Sequence, residues 1–206
     1  MHPPAEGTAA VVLAAGEARR FGGPKLLMPF GDSTVIGCVT SALAGAGVEP
    51  IIVAVGANRA EIEGALVCAS VQLVENPDPS RGMLSSIQVG VAALPRSASR
   101  FLIALADQPR VTAEEIRQLI ADMTRAGRGI ARPIHRGKRG HPVLLASRYR
   151  DEILALPPEA TLRDVIHRHL DDVVEVDVAS DAVVRDIDTR EEYEDERQRA
   201  QPGSQP

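Results

Sequence analysis

The sequence predicts an α/β fold: a Rossmann-like, doubly wound, mostly parallel sheet with a small antiparallel excursion near residues 129–145. Three observations predict it. Short aliphatic runs alternate with segments of helical period over the first ~125 residues, the pattern of repeated βα units. Runs such as Phe101–Ala106 (FLIALA) are apolar without interruption, as in a parallel sheet covered on both faces. A cationic turn, Arg136–Gly140, then separates two apolar runs, which predicts the antiparallel return. The length, 206 residues, suits one domain. We expect a single domain over 8–199, a flexible 1–7 and a disordered tail over 200–206.

Each element has a local reason. Ala9–Ala15 reads as a buried strand, followed by a Gly/Arg-rich loop from Gly16 to Pro24. Asp32 is placed to cap a helix through Val35, Ile36, Val39 and Leu43, with Gly45 and Gly47 ending it. Ile51–Val55 is a second strand, and Asn58 is placed to cap a helix through Ile62 and Leu66. Val71–Val74 is a third strand, and Ser85–Leu94 has helical period. After the strand Phe101–Ala106, Thr112 and Glu115 form a capping box for a helix to Ala126. Gly129–Ile134 and Val143–Leu145 flank the cationic turn. Short helices are expected near 148–156 and 161–170, the second capped by Thr161. Val173–Val178 and Val183–Ile187 read as late strands, and Glu191–Arg199 as an acidic terminal helix.

Composition excludes several classes. Three Phe, two Tyr and no Trp leave almost nothing for stacking successive bases, and the net charge is −5. Neither property suits a nucleic-acid binder. No apolar run approaches the ~18 residues of a membrane span, and no secretory signal is seen, so a cytoplasmic setting is expected. Cys38 and Cys68 lack metal-ligand spacing and read as free thiols. The charge is unevenly spread. Met123–Arg150 holds eight of the 23 Lys/Arg and no Asp/Glu, leaving 15 cations against 28 anions elsewhere. Such a stretch suits a local anionic ligand, although composition alone favours a solvated surface loop.

Two segments carry candidate chemistry. The first is Leu13-Ala14-Ala15-Gly16 through Lys25, which leaves the end of the first strand, where this architecture binds ligands. Small residues let backbone N–H groups approach a phosphate, and Arg20 and Lys25 add charge for a triphosphate. The loop matches neither a Walker A sequence nor a dinucleotide fingerprint. At about ten residues it exceeds the usual βα connection, which favours function over a plain flexible link. The second is Asp107, which ends the most apolar strand. A carboxylate there is a natural Mg²⁺ ligand, or a cap for the following turn.

These residues resemble the MobA-like nucleotidyltransferases, and among them the molybdenum cofactor cytidylyltransferases. The likeness begins with L-A-A-G-x-x-x-R-F-G-x-x-K at Leu13–Lys25. It continues through Asn76-Pro77 with Gly82-Met83-Leu84-Ser85-Ser86-Ile87, Asp107-Gln108-Pro109, Gly140-His141-Pro142-Val143 and Asp186-Ile187-Asp188-Thr189. The order and spacing are specific for the family, and less so for one substrate. The resemblance implies a nucleotide-diphospho-sugar transferase-like fold. It also implies transfer of CMP from CTP to the molybdopterin cofactor with release of pyrophosphate. Guanylyltransferase relatives tend to read L-A-G-G where this chain has Leu13–Gly16, which leans towards CTP.

The resemblance also implies roles. Leu13, Ala14, Ala15 and Gly16 contact base and phosphates through backbone atoms. Arg20 and Lys25 hold the β- and γ-phosphates. Asp107 holds Mg²⁺, with Mn²⁺ as a substitute, and Asp186 or Asp188 supplies a second carboxylate; the plainer reading of that pair is a helix cap at Asp188 with Asp186 in solvent. Ser86 binds base or ribose, or is a buried hydroxyl bonded to its own helix. His141 contacts the acceptor, or is an exposed turn residue. Arg132, Arg136, Lys138 and Arg139 recruit an anionic acceptor or a partner enzyme such as a molybdenum hydroxylase or its maturation chaperone, or are simply solvated. His167 and His169 are two apart on a helix and do not suggest a metal site. Three departures stand out: Glu17 and Ala18 where the family often has Ser, Arg190 in place of Pro, and Pro158–Asp164 in place of G-D-x-G-A-R. They bear on the acceptor more than on the nucleotide. Other readings are a nucleotidyltransferase using GTP or a sugar or polyol phosphate, and a chaperone or small-molecule reductase on the same scaffold.

Overall fold

A computed structural model describes residues 5–16, 18, 20–66 and 71–200. Cys68, Glu17 and the tail from 201 onward lie outside the described residues, as do positions 1–4.

The chain runs β1 (Thr8–Ala14), β2 (Pro29–Phe30), β3 (Ser33–Thr34), α1 (Val35–Gly45), β4 (Ile51–Val55), α2 (Arg59–Ala65), β5 (Val71–Glu75), α3 (Met83–Ala93) and β6 (Arg100–Leu105). It continues through α4 (Ala113–Ala126), β7 (Ile130–His135), β8 (Lys138–Arg139), β9 (Val143–Ala146), α5 (Arg150–Leu154), α6 (Leu162–Arg168), β10 (Val173–Asp177) and α7 (Arg190–Arg199). Among the described residues the main sheet has strand order β10-β7-β9-β6-β1-β4-β5, with β8 attached to β7. On the main path only β9 runs against its neighbours. This is the mostly parallel α/β sheet with an antiparallel excursion that the sequence predicts.

β1 shows why both faces are covered. Ala10, Val12 and Ala14 point into a core with α1 and α4, while Ala9 and Val11 point into a second core with α3, α5 and α6. Each large side chain fully removed from water there contributes about 1.5–3 kcal/mol. On the second face α3 lies close against β1. A Cβ added at Gly90 would fall 2.2 Å from Val11 Cγ1, so only glycine permits that approach.

Helix starts follow side-chain chemistry. Thr112 and Glu115 cap α4 reciprocally, as predicted, and Thr161 with Asp164 does the same for α6. Three expectations change. α1 is capped by Thr34, whose hydroxyl accepts from Gly37 N at 3.1 Å, not by Asp32, because Pro29–Thr34 forms a small ribbon that brings Thr34 to the helix mouth. Asn58 stands at the N-cap position of α2 without a side-chain bond to it. Val183–Ile187 is not a strand. Asp181–Val184 is a 3-10 turn started by Ser180, and the rest crosses the sheet's carboxyl edge as a strap. Its aliphatic residues imitate a strand, but its backbone bonds outside the turn go singly to His141 N and to the Asp107 carbonyl. No helix of the described residues is long and apolar enough to cross a membrane.

Candidate functional site

The connection after β1 and the residue after β6 emerge side by side, because β1 and β6 are adjacent and parallel. The chain reverses its winding between these strands, the position where open α/β sheets leave a crevice for ligands. Leu13–Gly16 forms the crevice floor. Gly22 N donates to Ala18 O, and Lys25 begins a 3-10 turn over Lys25–Leu27. That turn aims a nearly buried lysine across the crevice. Phe21 anchors the loop from behind, edge-on to Tyr193 of α7 at 6.0 Å and under the Arg190 guanidinium.

Asp107 meets this lysine: Nζ donates to Asp107 Oδ2 at 2.7 Å. The strap supplies Asp188, whose Oδ1 lies 3.4 Å from the same ammonium and whose Oδ2 pairs with Arg20 at 2.6 Å. Thr189, not Asp188, caps α7, through a box with Glu192, and Glu192 Oε2 also accepts from Asp188 N at 2.8 Å. The Asp188 carboxylate is thereby spared from capping and faces Lys25 and Arg20 in the crevice. Asp186 is exposed and stands outside the cavity lining; its charge still reaches Asp107 and His141. Burial raises the Asp107 carboxyl above its ordinary range, Lys25 opposes that rise, and Asp186 adds to it.

A cavity of about 620 Å³ opens over this corner, lined by Leu13–Gly16, Lys25, Asp107 and Asp188. Asn58, Glu61, Glu75 and Asn76 also line it and were not anticipated there. The signal for Glu75 and Asn76 was their place at the carboxyl end of a parallel strand. Ser86 does not reach the cavity. Its hydroxyl accepts from Asn76 Nδ2 at 2.9 Å, beside Ser85 at 2.8 Å, so it sits behind Asn76 and fixes that side chain.

The donor set tests the fit of a divalent cation. Among the described residues no three His, Cys, Asp or Glu side chains gather into a set that could hold a metal ion alone. Asp107 and Asp188 give two hard carboxylates at one corner. That fits Mg²⁺, commonly held by one or two carboxylates together with substrate phosphates.

A second cavity, about 990 Å³, lies beyond α3 and the β7–β8 turn and includes His141 and Arg163. Burial, then the Arg163 charge, lowers the His141 imidazole to about 4, with Asp186 opposing. His141 is half-buried in surroundings that favour its neutral form, and is not an exposed turn residue. Much of the cationic stretch is already neutralised. Arg132 and Arg139 share Glu175 at 2.6 and 3.0 Å, and Arg148 pairs with Asp172. Lys138 lines the cavity, whereas Arg136 does not.

A model of the MobA-like NTP transferase domain matches residues 10–173. The chain belongs to that family. Its curated relatives include a nicotine blue oxidoreductase of Paenarthrobacter nicotinovorans, 27% identical over 88% of this chain and 92% of that protein. Another is the molybdenum cofactor cytidylyltransferase of Escherichia coli K12, 23% identical over 89% and 92%. Among solved structures, Rv0371c of Mycobacterium tuberculosis H37Rv superposes with TM-score 0.78 at 28% identity, covering 91% of this chain and 95% of that one. A manganese complex of Rv0371c superposes with TM-score 0.72 at 26% identity, over 91% and 96%.

Proposed function

We propose that this MobA-like nucleotidyltransferase transfers CMP from CTP to the molybdopterin cofactor and releases pyrophosphate. The observation that carries the reading is the convergence of Lys25, Arg20, Asp107 and Asp188 beside the small-residue floor Leu13–Gly16. Base and phosphates lie along that floor, where backbone groups are accessible. An oxygen of the acceptor phosphate attacks the α-phosphorus in line. The new O–P bond forms as the bond to the bridging oxygen breaks, and pyrophosphate carries away the electron pair. The attacking oxygen is already anionic, so no strong general base is required. Catalysis is positioning and charge stabilisation.

Lys25 and Arg20 hold the β- and γ-phosphates and stabilise the departing pyrophosphate. Asp107 and Asp188 would hold Mg²⁺ or Mn²⁺, which when bound neutralises phosphate charge; the manganese complex of Rv0371c supports a divalent ion at such a fold. Ser86 acts through Asn76, as a wall of the nucleotide cavity. His141 faces the acceptor side. A molybdenum hydroxylase, or the chaperone that matures it, is the proposed recipient of the product, in the cytoplasm. CTP is favoured over GTP by Ala15 in the floor, and by the cytidylyltransferase relative. The similarity to nicotine blue oxidoreductase supports a second reading, small-molecule reduction on the same fold. Pyrophosphate release measured with CTP, GTP, ATP and UTP, each with molybdopterin and Mg²⁺, separates them. Release with CTP supports the proposal; release with none rejects it.

A further inference from the structure

Arg190 opens α7 at a position where a cation is unfavourable. The positive end of the helix dipole lies there, and the rest of the first turn is acidic, with Glu191 and Glu192. Proline, with its fixed φ and no N–H to leave unpaired, suits that position better. The reason for an arginine lies in what it touches outside the helix. Among the described residues no carboxylate pairs with it. Its guanidinium carbon stands 5.0 Å from the Phe21 ring centre instead. Its Nη2 runs along Gly23, where an added Cβ would lie 3.4 Å away. Arg190 is exposed, whereas Phe21 is 2% exposed.

The segment it touches is the soft part of the loop. Gly22, at φ +70°, and Gly23 separate Phe21 from Lys25, and glycine fixes its own backbone poorly. Asp188 pairs with Arg20 before this segment, and the Tyr193 hydroxyl donates to the Pro29 carbonyl after it. Only the Arg190 contacts reach the glycines from α7 among the described residues.

We infer that Arg190 is a positioning residue: by stacking on Phe21 and lying along Gly23 it holds the loop so that Arg20 and Lys25 stand where a triphosphate meets them. Its ligand rests on the proposed nucleotide reaction; the clasp on the loop does not.

The test pairs calorimetric titration of the full chain with CTP and Mg²⁺ with hydrogen exchange, before CTP is added, at the Gly22 and Lys25 amides, which bond Ala18 O and Gly23 O. Arg190→Ala and Arg190→Pro should each weaken CTP binding about two- to fivefold, the size of one exposed cation–π contact. Both should speed exchange at the two amides with little change in melting temperature. Proline suits the helix start, so a residue that served only α7 would leave CTP affinity intact in Arg190→Pro. Phe21→Leu should act likewise, and adding Arg190→Ala to it should cost nothing more. Wild-type affinity and exchange in Arg190→Ala overturn the inference. So do losses that add in the double variant, since Arg190 would then act on the phosphates directly. If the wild-type chain does not bind CTP while Arg190→Ala still speeds exchange, the nucleotide reading falls and the clasp stands.

Discussion

The Lys25 ammonium lies 2.7 Å from the Asp107 carboxylate, although 82 residues separate them in sequence. The contact joins the loop after β1 to the end of β6 and places a cation beside two carboxylates at the proposed nucleotide site. Removing Lys25 leaves Asp107 and Asp188 without their shared partner. Lys25→Ala should lower turnover about 10²–10³-fold, the cost of deleting one preorganised electrostatic contact. Asp107→Asn should do so comparably and raise the metal concentration required. Steady-state kinetics at varied Mg²⁺ check both. Wild-type turnover in either variant would reject that residue's role.

His141 should stay neutral across the working pH range. Its imidazole titrates at about 4, below the ordinary value of 6.5. Between those values the unfolded chain binds more protons than the folded one, so stability rises with pH. The contribution is fully present above about 6.5 and is lost as pH falls through 4; it reaches at most about 3 kcal/mol. Two-dimensional NMR of the imidazole should give the low midpoint. His141→Gln should flatten the stability profile between pH 4 and 6.5.

Glu196 is 1% exposed and is paired with Arg110 at 2.6 Å and Arg185 at 2.7 Å. It ties α7 to the body of the protein. Glu196→Ala leaves Arg110 with Asp181 and Arg185 with Asp195 but opens a void between the two guanidinium groups, and should cost about 1–3 kcal/mol, read by urea unfolding. The Phe21–Tyr193 contact depends on the same helix, so nucleotide affinity should fall as well.

Thr189→Ala removes the α7 cap and should cost about 1 kcal/mol. It also loosens Glu192, which holds the Asp188 backbone. We therefore expect a weaker metal requirement curve with little change in KM for the acceptor. Equal losses for metal and acceptor would argue for general unfolding instead.

Local signals explain what could be read from sequence. β1, β4, β6 and the α4 capping box are written in runs of neighbouring residues, and Asp107 is marked by the strand it ends. Long-range pairing was not legible. Asp188 meets Lys25 only because Ile187 N bonds the Asp107 carbonyl and draws the strap across the edge. Gly140 belongs to the same arrangement: a Cβ there would lie 2.1 Å from Val183 O, so the turn before His141 seats against the strap only as glycine. The cationic stretch misled for a similar reason. The acids that neutralise Arg132 and Arg148 come from Glu175 and Asp172, 43 and 24 residues downstream. Ser86 carried no local sign that Asn76 would cover it.

The most direct test of the central claim follows the α-phosphate. CTP labelled at that phosphorus is incubated with the protein, Mg²⁺ and molybdopterin, and the products are resolved by chromatography and mass spectrometry. The label should appear in a cytidine-linked molybdopterin dinucleotide, with unlabelled pyrophosphate in equal amount and both lost in Lys25→Ala. Label remaining in CTP or CMP, with the acceptor unchanged or merely reduced, would contradict it.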